Sequence, residues 1–108
     1  MVETLTSEEF LRSPGVQEWR AATTIASASF VTNSFARGVQ FINIIGALAD
    51  AADHHPHVDL RYSNVVIRLT THEVNALSER DVVLARQISA AARELGISAD
   101  VPHEQNLG

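Results

Sequence analysis

The sequence predicts an α+β fold in two layers, in which an antiparallel four-stranded sheet carries helices packed on one face. Helical spacing and strand-like alternation of apolar residues follow one another in the order helix, strand or strands, helix, hairpin, helix. The composition fits one globular domain, with 108 residues of which 45% are hydrophobic and 19% charged. We expect a single domain over residues 1–96 and a polar tail over residues 97–108.

Local signals near the N-terminus predict a short helix followed by strands. Thr6 and Glu9 have the spacing of a capping box, which predicts a helix that ends at about Arg12, before Pro14. From residue 19 to residue 31, apolar and small polar side chains alternate in the manner of two short strands or one bent strand.

The strongest helix signal lies in residues 35–52, where apolar side chains recur every three or four positions. Candidate N-caps stand at residues 32–34, and Pro56 disfavours a helical conformation for the residue before it, so the helix should end near Asp53. Further apolar residues widen the stripe beyond one face. We therefore expect this helix to be covered on two sides, by the sheet and by another helix or subunit.

Alternating apolar residues then predict a β-hairpin with Ser63–Asn64 as its turn. With this turn, Tyr62 faces Val65 and, by the same count, His55 comes level with His72. Tyr62 has the parity of the inward-facing side chains, so it is a candidate both for the core and for stacking on a substrate.

A last helix is predicted from Ser78 to Gly96. Ser78 and Asp81 have capping-box spacing, and apolar residues follow at helical intervals. Gly96 stands where a left-handed residue would end the helix.

The composition excludes several kinds of chemistry. The chain has no cysteine and no lysine, which removes disulfides, thiolate nucleophiles and Schiff-base formation. A formal net charge of −5 argues against nucleic acid or an anionic membrane as a partner. We see no secretory signal and no apolar stretch long enough to cross a bilayer, so we expect a cytoplasmic protein. Acid–base chemistry at neutral pH therefore falls to histidines and carboxylates.

Four of the five histidines fall in two places. Three lie in the segment 53–57 at the end of the central helix, and His72 lies at the end of the second hairpin strand. The partial negative charge of a helix C-terminus favours imidazolium. Carboxylates are predicted nearby: Asp50 lies four residues before His54 and three before Asp53, on one helical face, and Asp81 opens the helix that follows His72. This arrangement suits general acid–base catalysis.

Simpler interpretations of the same residues stay open. His57 and His103 are as well explained by structural or surface roles, Asp81 by capping its helix and Asp50 by a solvated helix face. A His-x-His pair with His72 and Asp53 could hold zinc or iron. Neither a His-Glu-x-x-His helix nor a cysteine ligand supports that, so we expect no metal.

Several of these residues fit the pattern of a known family, at five fixed positions over about thirty residues. The matching segments are Asp50, Asp53-His54-His55-Pro56, Tyr62, Thr71-His72-Glu73 and Leu77-Ser78-Glu79-Arg80-Asp81. With them the chain resembles the pterin-4a-carbinolamine dehydratase family, from about residue 30 to about residue 95. Two departures stand out: Val74-Asn75-Ala76 replaces a run such as Ala-Gly-Gly, and His57-Val58 replaces an acidic residue followed by a bulky one.

The resemblance implies a hydro-lyase that removes water from a 4a-hydroxytetrahydropterin to give the quinonoid dihydropterin, in tetrahydrobiopterin recycling, with no metal or organic cofactor. It implies His54 and His72 as the acid–base pair and His55 as a residue that binds and orients the pterin. Asp50, Asp53 and Asp81 would orient or balance the imidazoles, and Arg80 would lie near the same rim. From the N-terminal strands, Trp19 is a candidate for contact with the pterin ring.

The family fold also implies a homodimer or homotetramer. The excess of apolar residues on the central helix independently favours association with a second copy. The alternative function is that of a non-catalytic, dehydratase-like binding or assembly factor, or a transcriptional coactivator.

Overall fold

The computed structural model describes residues 3–100, and the predicted order of elements is confirmed. Its helices are α1 (Ser7–Arg12), α2 (Phe35–Ala52) and α3 (Glu79–Glu94), with a single 3₁₀ turn at His72–Val74. Its strands are β1 (Thr4–Leu5), β2 (Arg20–Ala22), β3 (Ile25–Val31), β4 (His57–Leu60), β5 (Asn64–Leu69), β6 (Leu77–Ser78) and β7 (Ser98–Ala99). None of the described helices is both long enough and apolar enough to span a membrane.

The main sheet is antiparallel with the strand order β2-β3-β5-β4, which confirms the predicted four-stranded arrangement. A short strand, β7, also pairs with β3, and β1 and β6 form a separate two-stranded sheet. The expected polar tail therefore differs at its start, because Ile97 is buried and Ser98–Ala99 are paired. Residues 101–108 of that tail lie outside the described residues.

One face of the sheet and the inner sides of the helices form the core. Alternate residues of β3 and β5 are buried together with Phe41 and Ile45 of α2 and Leu84 and Ile88 of α3. The other face carries the opposite parity, which includes Arg68 of β5. The sequence pattern predicted this alternation because a strand turns successive side chains to opposite faces.

The helix ends follow the predicted capping residues. Thr6 and Ser78 each form a capping box with the acidic residue three positions later, and Ser34 caps α2. At the C-terminal end of α2, Asp53 adopts the left-handed conformation with φ 51° and ψ 44°. These signals are local, which is why the sequence contained them.

The predicted register of the hairpin is wrong by two residues. Leu60 pairs with Val65, and the turn is Tyr62–Ser63, closed by a 2.9 Å bond from the Arg61 N–H to the Asn64 carbonyl. Tertiary contacts decide the turn, since the Ser63 carbonyl accepts the N–H groups of residues 32 and 33. His55 is therefore not level with His72, and Tyr62 is 81% exposed instead of facing the core.

Candidate active site

Two adjacent histidines, His54 and His55, follow the left-handed residue Asp53 that ends α2. The Asp53 N–H bonds to the carbonyls of Ala49 and Asp50, which closes the last turn of the helix. Beyond this turn His54 is buried, with 8% of its surface exposed, whereas the side chain of His55 is 58% exposed. Two neighbouring imidazoles thus enter different environments, one inside the protein and one in solvent.

His54 is held by a fully buried carboxylate. Its Nε2 lies 2.6 Å from Oδ1 of Asp81, which opens α3 and has no exposed surface. A carboxylate only accepts hydrogen bonds, so this contact requires a proton on Nε2 and leaves Nδ1 as the second nitrogen of the ring. A buried carboxylate that fixes one imidazole nitrogen is the arrangement by which enzymes orient a histidine for proton transfer.

A network of hydroxyl groups fixes Asp81 in turn. Its Oδ2 accepts the Thr71 hydroxyl at 2.8 Å and the Ser78 N–H at 3.0 Å. Because the Thr71 proton points to Asp81, the Ser78 hydroxyl donates across the 2.6 Å contact between the two hydroxyls, and its oxygen accepts the Arg80 N–H. The Asp81 carboxylate accepts hydrogen bonds from three donors, and these bonds hold it in one orientation.

His55 pairs with a different carboxylate at the surface. Its Nε2 lies 3.0 Å from Oδ1 of Asp50, whose side chain is 81% exposed. Both residues line a hollow of about 190 Å³ whose other walls are apolar residues of α2 and the start of β4. The sequence spacing predicted Asp50 on the same helical face as His54. Because Asp53 is left-handed, His55 contacts this carboxylate instead.

His72 begins the 3₁₀ turn that follows β5. Asn75 ends this turn in the left-handed conformation, with φ 50° and its N–H bonded to the His72 carbonyl. Asparagine tolerates this conformation better than most residues, so it can take the place of a glycine here. The His72 ring lies edge-to-face against the His57 ring, with 5.7 Å between the ring centroids.

Arg80 lies at the entrance to a second hollow, next to His54. This hollow has a volume of about 260 Å³ and shares no lining residue with the one beside His55. The Arg80 guanidinium forms an ion pair with Glu73, which follows His72 in the chain. The pair joins the start of α3 to the turn that carries His72.

These contacts link two segments of the chain, residues 54–57 and residues 71–72. His54 bonds to Asp81, Asp81 bonds to Thr71, and Thr71 precedes His72, whose ring touches His57. The segment 54–57 is thus linked to the segment 71–72 at both ends: through Asp81 at His54, and by direct ring contact at His57. The structure therefore has the predicted grouping of the histidines at the end of α2 with His72.

Three residues that contact the candidate site were given no role there by the sequence analysis, and one residue was wrongly placed at the site. Thr71, Glu73 and His57 each contact a predicted site residue. Thr71 and Glu73 are sequence neighbours of His72, whereas the contact of His57 depends on the observed register, which pairs His57 with Arg68. Trp19 is not at the site: it is buried, and its indole N–H donates to Ser89 at 2.9 Å.

Two further observations concern the remaining candidates. Asp53 contributes through its backbone, which makes the turn between α2 and the histidines. Within residues 3–100, no group of three or more His, Asp or Glu side chains has an arrangement that could hold a metal ion. His103 lies outside the described residues.

Comparison with known proteins places this fold and site in a family. The family model described as "Pterin 4 alpha carbinolamine dehydratase" matches residues 3–91, and so extends to the N-terminal strands. A protein from Aquifex aeolicus is 31% identical over 96 residues, which cover 88% of this chain and 97% of the relative. One from Thermomicrobium roseum is 39% identical over 64 residues, covering 59% and 69%. Both are named "Putative pterin-4-alpha-carbinolamine dehydratase".

Solved structures give the same result. The crystal structure of a transcriptional coactivator/pterin dehydratase from Brucella melitensis matches with a TM-score of 0.75 and 28% identity, covering 83% of this chain and 99% of that chain. A pterin dehydratase-like protein identified as a RuBisCO assembly factor in the alpha-carboxysome shares the fold, with a TM-score of 0.57, 20% identity and coverage of 68% and 86%. The α+β domain described above is thus the fold shared by this group of proteins. The chain belongs to the pterin-4-alpha-carbinolamine dehydratase family.

Proposed function

We propose that this protein is a hydro-lyase that dehydrates 4a-hydroxytetrahydropterins to quinonoid dihydropterins, in the recycling of tetrahydrobiopterin in the cytoplasm. The observation that carries the proposal is the buried pair of His54 and Asp81, joined through Thr71 to the turn that bears His72. It is supported by membership of the family, whose name describes this reaction.

The reaction needs one proton donor and one proton acceptor. The donor protonates the hydroxyl on C4a so that the carbon–oxygen bond breaks and water leaves. The acceptor removes the proton from the adjacent ring nitrogen, and the electron pair of that N–H bond forms the new carbon–nitrogen double bond. Two imidazoles can supply both functions at neutral pH without any metal or organic cofactor.

We assign the two proton transfers to His54 and His72. Asp81 keeps a proton on His54 Nε2, which leaves Nδ1 to exchange a proton with a substrate. His72 is exposed at the mouth of the site and can exchange protons with both substrate and water. The two residues thus combine a fixed imidazole with an accessible one.

The remaining predicted residues would bind the pterin and set its orientation. His55, directly after His54 in the chain, and Asp50 offer an exposed hydrogen-bond donor and acceptor at the end of α2, and these groups suit the polar edge of a pterin. Asp53 and Arg80 would complete the rim, with Asp53 exposed and Arg80 held by Glu73. Substrate contact by this group should therefore affect binding more than the chemical step.

A homo-oligomer is the second part of the proposal. Phe35 and Val39 of α2 are 52% and 41% exposed, although they belong to the apolar stripe that predicted a covered helix. A second copy of the chain would bury these side chains, and a symmetric dimer or tetramer is the usual form of such association.

The alternative function is a binding or assembly factor, or a transcriptional coactivator, that keeps the fold without the reaction. It is favoured by the Brucella melitensis relative, described as both coactivator and dehydratase. The two functions differ in their need for the histidines, because a scaffold has no use for proton transfer.

The deciding experiment is a spectrophotometric assay with chemically generated 4a-carbinolamine. The unmodified protein should accelerate dehydration well above the background rate, and His72→Ala should lose about 10²- to 10⁴-fold, the usual contribution of a general acid or base. His55→Ala should raise KM more than it lowers kcat. Arg93→Gln is the control, because Arg93 lies on α3 in an ion pair with Glu18 that takes no part in the site.

Equal rates of dehydration with and without the protein would refute the proposed dehydratase activity and favour the non-catalytic binding or assembly factor. Full activity of His72→Ala would refute the assignment of that residue.

A further inference from the structure

His57 starts the edge strand β4 and lies on the face of the sheet opposite the helices. It pairs in register with Arg68 of β5, and the next residue, Val58, pairs with the buried Ile67 on the core side. Since successive residues of a strand point to opposite faces, the His57 side chain stands on the outer face with that of Arg68. Pro56 precedes it and has a fixed φ, so the start of this strand has little freedom.

Each of the three candidate site histidines has one side chain that holds its ring. For His54 it is the buried carboxylate of Asp81, and for His55 it is the exposed carboxylate of Asp50. Within residues 3–100 the His72 ring makes no hydrogen bond, and its contact is the ring of His57, at a centroid distance of 5.7 Å and an interplanar angle of 87°. His72 therefore depends on His57 for its orientation.

The charged side chains near the His57 and His72 rings form ion pairs with one another. Arg68 lies 3.2 Å from Asp59 on the same outer face, and Asp59 also lies 3.7 Å from Arg61. Glu73, the neighbour of His72, is held by Arg80. These ion pairs leave the two imidazoles to contact each other, and an edge-to-face arrangement places the positive edge of one ring against the negative face of the other.

We propose that His57 is a positioning residue, which holds the His72 imidazole in the orientation required for proton transfer. This inference rests on the proposed function. The contact contributes about a twofold to tenfold preference for one orientation of His72, the usual range for an aromatic pair.

Nuclear magnetic resonance of the histidine ring protons tests the contact without any assay of activity. His72→Ala identifies the His72 resonances in the full-length protein. His57→Ala should shift these resonances, because the ring current of His57 is lost, whereas Arg61→Gln, just after the far end of β4, should leave them in place. Unchanged His72 resonances in His57→Ala would overturn the proposal, whether or not the protein is a dehydratase.

Kinetics with the 4a-carbinolamine test the consequence. His57→Ala should lower kcat about twofold to tenfold and leave KM within about twofold, since orientation of a proton-transfer group acts on the transition state. His57→Phe keeps an aromatic ring at this position and should recover most of kcat.

A kcat for His57→Ala equal to that of the unmodified protein would overturn the proposal. So would a His57→Phe variant as slow as His57→Ala, because a ring would then not suffice. Lack of acceleration by the unmodified protein would contradict the proposed function, and the resonance shifts would still decide whether His57 orients His72.

Discussion

Replacement of Asp81 by alanine should destabilise the protein more than the loss of any other charged side chain in residues 3–100. Asp81 has no exposed surface, and it accepts from three donors: the His54 ring, the Thr71 hydroxyl and the Ser78 N–H. Alanine removes all three acceptor contacts at once and leaves the donors inside the protein. The variant also loses one half of the capping box that starts α3.

The magnitude follows from the cost of buried donors. A buried polar group without a partner costs about 1–3 kcal/mol, and the loss of one partner of a buried ionic contact costs about 3–5 kcal/mol. We expect a loss of about 3–5 kcal/mol in the free energy of unfolding, against a total of about 5–15 kcal/mol for a typical domain. The melting temperature should fall by at least about 10 °C.

Urea unfolding measures this loss, followed by circular dichroism and by the fluorescence of Trp19, the single tryptophan. All variants are compared at one protein concentration, because association changes apparent stability. Asp50→Ala is the matched control: it removes an aspartate that also pairs with a histidine, but an exposed one, and should cost less than about 1 kcal/mol. A loss below about 1 kcal/mol for Asp81→Ala, or equal losses in the two variants, would refute the reasoning.

Two other predictions use α2. Gly46→Ala should stabilise the protein by about 0.5–1 kcal/mol, because a Cβ there meets no atom within 4 Å and alanine is the better helix former. Gly38→Ala gains the same preference but puts its Cβ 2.6 Å from Leu60 Cδ1, so in urea unfolding it should be about 1–3 kcal/mol less stable than Gly46→Ala, and equal stabilities would contradict the packing argument. Sedimentation velocity at micromolar concentration should find a dimer or tetramer, with Phe35→Ser shifted toward monomer. A stable monomer of the unmodified protein would refute the association proposed for the exposed face of α2.

The sequence predicted those parts of the fold that are set by neighbouring residues. The capping boxes at Thr6 and Ser78 and the left-handed Gly96 involve residues within one helical turn, so their signals are complete in the local sequence. The hairpin register is different. The Ser63 carbonyl accepts N–H groups from residues 32 and 33, which lie 31 and 30 positions earlier in the chain, and these bonds select the turn.

The same distinction applies to the site. The spacing of histidines and aspartates predicted that these residues form pairs, but it could not assign the partners. Helical periodicity placed Asp50 beside His54, four positions on, yet the left-handed conformation of Asp53 breaks that periodicity. His54 consequently meets Asp81, 27 positions away in the chain, and Asp50 meets His55. The backbone conformation of Asp53 thus decides which carboxylate each of the two adjacent imidazoles contacts.

The three histidines of the site consequently differ in how firmly they are held. His54 is fixed by a buried carboxylate that α3 itself needs for its first turn, so this imidazole keeps its place before any substrate arrives. A group fixed in advance loses nothing to reorganisation during the reaction. His72, held by a ring contact and open to solvent, can instead take up a new proton from water after each turnover of the proposed reaction. In the proposed dehydration, the hydroxyl receives a proton and leaves as water, so the accessible histidine suits the proton donor and the buried one suits the proton acceptor.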